Sequence, residues 1–121
     1  PIVCTDANGR VGRTYEPGMG QMIYRSAPVG EFTPELLNYN GSQWQLFCEQ
    51  ERLFMANTGC PNPPTYYGPR NSSSRIDYLA LPLRAENRIR MCLVWLFTGY
   101  RLELINTLHY RDHFPVYLDF D

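Results

Sequence analysis

One carboxylate constrains this chain more than any other feature. In Asn71-Ser72-Ser73-Ser74-Arg75-Ile76-Asp77-Tyr78-Leu79, a run of small hydroxyl residues gives way to Arg-Ile-Asp-Tyr and then to the apolar Leu79, Ala80 and Leu81. The chain is expected to leave a polar loop and enter a buried strand over residues 76–81, with an acid at its mouth. An ionised carboxylate removed from water without a partner loses on the order of several kcal/mol of solvation. Asp77 therefore calls for a cation, a metal or an imidazolium beside it. The plainer alternative is a strand-end aspartate that pairs with Arg75 or closes a turn.

Two other clusters sit at comparable places. Pro1-Ile2-Val3-Cys4-Thr5 reads as a short β-branched strand delivering Asp6 and Asn8 into a loop that ends at Gly9. On a strand-like backbone residues two apart point the same way, so this carboxylate and carboxamide are expected to face one site; an Asx-type turn closed by Gly9 is the competing reading. Near the other end, Arg111-Asp112-His113-Phe114-Pro115 precedes a terminal strand in which Val116, Leu118 and Phe120 alternate with Tyr117, Asp119 and Asp121. A packed sheet gathers strand ends along one rim, and chemistry-bearing side chains concentrate on such loops.

Between these clusters, residues 10–30 are rich in Gly, Pro and Arg and read as a loop. Thr33-Pro34-Glu35 is expected to start a short helical turn, and Asn38-Tyr39-Asn40-Gly41 to form a turn. Ser42 with Gln45 makes a capping-box pattern, and Trp44, Phe47 and Cys48 fall at helical spacing. A helix over residues 42–50 follows, its aromatic face in the core, with a strand over residues 53–56 after it. Thr65-Tyr66-Tyr67 is a short β-prone piece between Pro-rich breaks, and residues 84–90 carry no clear period.

With 121 residues, 44% of them hydrophobic and 19% charged, the chain is expected to form one globular domain. Its longest apolar run, residues 91–97, is far short of the roughly 20 residues a membrane-spanning helix needs. A net charge of −1 gives no general attraction for a polyanion, so nucleic-acid binding requires a local patch. All 11 basic residues are Arg, whose planar fork suits phosphate oxygens; biased base composition of the gene produces the same count. The four cysteines are scattered, with no CxxC pair, which argues against a zinc knuckle or a redox motif. Cys4, Cys48 and Cys92 stand among apolar neighbours and read as small buried hydrophobes of a reduced, intracellular protein.

Taken together, Thr5-Asp6-Ala7-Asn8, Ser73-Ser74-Arg75-Ile76-Asp77-Tyr78 and Arg111-Asp112-His113-Phe114-Pro115-Val116 resemble the ordered motifs of the endonuclease/exonuclease/phosphatase family. Its deoxyribonuclease I-like domains include abasic-site endonucleases, and the flavour here is similar to the endonucleases of non-LTR retrotransposons. Asn40-Gly41, Phe47-Cys48, Asn57-Thr58 and Pro64-Thr65-Tyr66 fit the same pattern, so the resemblance spans essentially the whole chain. It implies an α/β (α+β) sandwich of which residues 1–121 supply about half, as one partial domain with a mostly antiparallel sheet and one main helix. It further implies a metal-dependent DNA endonuclease. Asp6 would orient or deprotonate water, Asn8 would hold the scissile phosphate, Asp77 would keep the His113 imidazole protonated, and Asp112 would bind Mg2+ or Mn2+.

The chain departs from the family pattern at Thr5, where Gly is usual, and at Arg111, where Ser is usual. It opens on Pro1 and lacks the family's N-terminal half, with its metal-binding Glu, so a piece of a larger protein is expected. Half a sandwich exposes an apolar sheet face, for which a second polypeptide or a second copy is the expected cover. The resemblance implies no membrane, and an intracellular or nuclear location. Two alternatives remain open: an inactive interaction or structural subunit that retains the fold, and a phosphatase for lipids or nucleotides.

Overall fold

The computed structural model describes residues 1–12, 28–33, 35–96 and 113–121. Among them the architecture is mixed α/β, with antiparallel sheets and few helices. The strands are β1 (Val3–Asp6), β2 (Leu53–Met55), β3 (Tyr66–Tyr67), β4 (Ser73–Ser74), β5 (Asp77–Pro82), β6 (Ile89–Val94) and β7 (Val116–Phe120), and the helix is α1 (Tyr39–Gln50). They pair as a three-stranded sheet of order β1-β5-β2, a β3-β4 ribbon and a β6-β7 ribbon, every pairing antiparallel. No described helix is long and apolar enough to cross a membrane.

β5 is the central strand, and its alternation decides what lies on each face. Tyr78 and Ala80 point to one side and join Cys48, Leu53, Met55, Val11 and Val29 in the larger core, against which Trp44, Val3 and Leu37 pack. Leu81 points to the other side and joins Ala56 and Cys92, with Val116 and Leu118 beside them. β5 is therefore buried from both sides within this chain, and the apolar face left outward lies elsewhere. Along β6, Cys92 and Val94 face in, while Met91, Leu93 and Trp95 face out; Trp95 stacks on Tyr117 at 4.7 Å.

Several sequence expectations are corrected. The helix begins at Tyr39 and the 38–41 stretch is its start, not a turn before it. Asn38 is the cap: its backbone is extended and its Oδ1 accepts the Gly41 N–H at 2.9 Å. Ser42 instead donates its hydroxyl back to the Tyr39 carbonyl at 2.7 Å, so it caps nothing. Phe47 is exposed, and only Cys48 of the expected apolar trio is fully buried, with Trp44 packed partly against the core. Cys4 is exposed because β1 turns Val3 and Thr5 toward the larger core side and Cys4 away from it. Thr33 and Glu35 stand outside any helix, and β6 starts at Ile89 after a 3-10 turn over Leu83–Arg88. Residues 13–27 of the expected loop over residues 10–30, and the pair Arg111-Asp112, lie outside the described residues.

Two buried polar groups tie the loops to β5. Tyr78, only 2% exposed, places its hydroxyl 2.7 Å from the Arg75 carbonyl and 3.0 Å from that of Gly9, and accepts the Val11 N–H at 3.1 Å. Burial pushes this phenol well above its usual range. Arg75 does not pair with Asp77. Its guanidinium donates to the carbonyls of Phe32 and Asn62, and its backbone N–H donates to Glu35 Oε1 at 2.6 Å. Burial lowers the Arg75 guanidinium and raises the Glu35 carboxyl; the Arg75 N–H and the charges of Arg75 and Arg10 oppose the second shift without reversing it.

Tyr78→Phe is expected to destabilise the fold by about 1–3 kcal/mol in urea titration, because it strands the buried Val11 N–H while keeping the ring. Glu35 supplies a pH signature. A raised folded-state value means that its contribution to stability is full below the unfolded value and falls as pH rises through the folded one. The stability of wild type relative to Glu35→Gln is thus expected to decline as pH rises above the usual glutamate range.

Candidate active site

The β1-β5 register aligns Asp6 directly opposite Asp77. Cross-strand partners share a face, so two carboxylates meet where like charges are destabilising. The chain resolves this with His113. Its Nδ1 lies 3.1 and 3.0 Å from the two carboxylate oxygens of Asp77, and its Nε2 lies 3.8 Å from Asp6 Oδ2. An ionised carboxylate only accepts, so Nδ1 carries a proton in this pairing and Nε2 is turned toward Asp6. Asp77 is the more enclosed partner, with 19% of its side chain exposed against 43% for His113.

His113 is held where it is by the backbone. It bridges Tyr66 in antiparallel fashion, its ring sits 5.3 Å from that of Tyr66, and the next residue, Phe114, donates its N–H to the Thr65 carbonyl at 2.8 Å. The fully buried Thr65 also supplies its hydroxyl oxygen, which accepts the N–H groups of Ile76 and Asp77, each at 3.1 Å. On the same edge Asn57 donates to the Asp77 carbonyl at 2.9 Å and accepts the Leu79 N–H at 3.3 Å. Two buried side chains thus stand in for a neighbouring strand at the mouth of β5.

Asn8 reaches the site differently from the strand alternation expected for it. β1 ends at Asp6, whose Oδ1 accepts the Asn8 N–H at 2.9 Å, and Asn8 adopts the left-handed region with φ 42°. Asparagine tolerates that conformation better than most residues, and the turn is of the Asx kind. The Asn8 carbonyl accepts from the Asn40 side chain at 3.0 Å. So the turn reading of this stretch holds and the strand alternation does not, and Asn8 lines the same groove as Asp6 and His113.

That groove has a volume of about 540 Å3 and also takes in Arg10, Tyr66 and Ser73. A second cavity of about 440 Å3 is lined by Asp6, Asp77, Leu79 and Phe114 among others. A larger one, about 730 Å3, lies away from these residues, between Phe47, Leu53 and Pro82; it holds no facing carboxylates or imidazole, so size alone does not mark the chemistry. Of the residues expected at a site, Asp77 and His113 are hydrogen-bonded, Asp6 stands just beyond that reach, Asn8 shares the groove, and Asp112 lies outside the described residues.

The residues that hold this arrangement, Asn38, Asn40, Asn57 and Thr65, carry a weak signal in the sequence. Each is a short polar residue beside a turn or a strand end, a composition shared by most loops. Neither a family model, nor a curated protein, nor a solved structure matches the chain.

Gly41 is where α1 and the Asp6-Asn8 loop touch. A Cβ there would collide with the Arg10 carbonyl, and one on Gly9 would collide with the Gly41 backbone. Gly41→Ala is expected to cost about 1–3 kcal/mol in chemical unfolding and to shift the amide resonances of Asn8 and Arg10.

Proposed function

We propose that the chain carries the phosphate-handling part of a metal-dependent phosphodiester hydrolase of the deoxyribonuclease I-like kind, acting on DNA. The observation that supports this most is the Asp77-His113 pair with the second ring nitrogen turned toward Asp6. An imidazole whose Nδ1 is fixed by a carboxylate offers its Nε2 in one direction only, as in many acid–base and metal-ligating histidines.

In this reading His113, protonated, donates from Nε2 to a non-bridging phosphate oxygen and stabilises the charge that grows there in the transition state. Asp77 holds the ring's tautomer and orientation. Asp6 accepts a proton from the attacking water, and Asn8 donates its carboxamide N–H to the phosphate. The donor set fits a hard divalent cation. One oxygen each from Asp6 and Asp77 and one nitrogen of His113 lie within 4.8 Å of one another; Mg2+ or Mn2+ would be held through the two carboxylates with waters completing its shell, since His113 protonated on both nitrogens has no lone pair to give. Such a cation, when bound, supplies Lewis acidity toward a phosphate oxygen. Asp112 enters this ligand set by the resemblance alone.

A second reading is favoured by the outward row of Met91, Leu93 and Trp95 with Tyr117. Exposed apolar surface of this kind marks a contact for another protein, and the chain would then be an interaction subunit that retains the fold. A second polypeptide or a second copy on this face is also compatible with hydrolysis.

Nicking of supercoiled plasmid separates the two. The hydrolase reading expects nicking that requires Mg2+ or Mn2+ and falls by about 100-fold or more in His113→Ala and in Asp77→Asn. A folded chain that does not nick, alone or with a copurifying partner, would leave the interaction-subunit reading standing.

A further inference from the structure

We propose that Arg10 seats a phosphate adjoining the one held at Asp6 and His113, so that the substrate is a polynucleotide strand and not a monomeric phosphate ester. This rests on the phosphodiester reading of the site and adds to it a residue and a direction.

Arg10 lines the same groove as Asp6, Asn8 and His113, and it is the only arginine among the described residues that do so. Its backbone is fixed: its N–H donates to Asn38 Oδ1 at 2.9 Å, and its carbonyl accepts the Asn38 N–H at 3.2 Å. The same Asn38 oxygen caps α1, so the helix and the Asp6-Asn8 loop position Arg10 together. Its side chain is exposed, and among the described residues the guanidinium makes no hydrogen bond or close ion pair. The carboxyl whose charge it feels, Glu35, is engaged by the Arg75 N–H. Arg75, the other arginine near this loop, is buried and committed to two carbonyls.

The charges give the groove a polarity. Asp6 and Asp77 repel any anion at the His113 end, where only the imidazolium or a cation offsets them. Arg10 is not among the groups in contact with Asp77 or His113, so a single phosphate ester at that end gains little from it. A strand with a phosphate on each nucleotide gains a charge-assisted, two-pronged contact from Arg10, and among the described residues lining the groove Asp6 is the only carboxylate. A volume of about 540 Å3 is in the range of sites for whole small molecules and far exceeds one phosphate group.

The test is fluorescence anisotropy of a labelled duplex oligonucleotide in Mg2+ over a range of salt, in a His113→Ala background so that the strand stays intact. Each phosphate contact steepens the fall of log affinity with log salt by about one unit. Arg10→Gln is expected to weaken binding several-fold and to reduce that slope by about one, and Arg10→Lys to restore the slope. A slope unchanged in Arg10→Gln would overturn the proposal, as would a His113→Ala protein that binds no oligonucleotide. Arg10-dependent binding without any Mg2+-dependent nicking by the wild-type chain would overturn the hydrolase reading instead and leave Arg10 as a phosphate contact.

Discussion

The rest of the site depends on how the mouth of β5 is held. β1 pairs along one edge of this strand from Asp77 to Ala80, but β2 reaches the other edge only from Ala80 to Pro82. Between Asp77 and Leu79 that second edge has no strand, and a buried, unpaired backbone group costs about as much as a lost hydrogen bond. Asn57 and Thr65, both fully buried, fill the gap with side-chain atoms. Because Thr65 and Tyr66 also grip Phe114 and His113, one set of contacts closes the sheet edge and delivers the imidazole to the carboxylates.

Carboxylates facing one another at neighbouring strand ends are an unfavourable arrangement left to themselves. A sequence selected for stability alone would place opposite charges or apolar residues at such a pair. Here the conflict is met by a partly exposed histidine, beside a loop and a helix start that cannot accept ordinary side chains at Gly9 and Gly41. Local disagreement of this kind with the rules of sheet pairing is more often found at functional sites than elsewhere.

Much of this was readable in advance, and the particular residues show why. Asp77 at the head of a strand and the β-branched run ahead of Asp6 each rest on apolar periodicity, which burial enforces directly; the alternation from Val116 onward holds for Val116 and Leu118 and breaks at Phe120, which is exposed while Asp119 is half-buried. The helix start misled because Asn38 and Ser42 are both good caps, and only tertiary contact of Asn38 with Arg10 decides between them. Cys4 misled because apolar neighbours in sequence alternate in space. At Asn8 the two-residue period fails because the residue is left-handed, which the strand pattern ahead of it does not signal. Arg75 looked like a partner for Asp77 by proximity in sequence, yet its reach takes it to carbonyls of Phe32 and Asn62.

The most direct test of the account is the protonation pattern of the His113 ring, read from long-range proton–nitrogen NMR at a pH well above the usual imidazole range, near 6.5. If Asp77 fixes the ring, the neutral form carries its proton on Nδ1, with the Nε2 lone pair turned toward Asp6, and Asp77→Ala abolishes that preference. A neutral ring protonated on Nε2, or a mixture that Asp77→Ala leaves unchanged, would contradict the account.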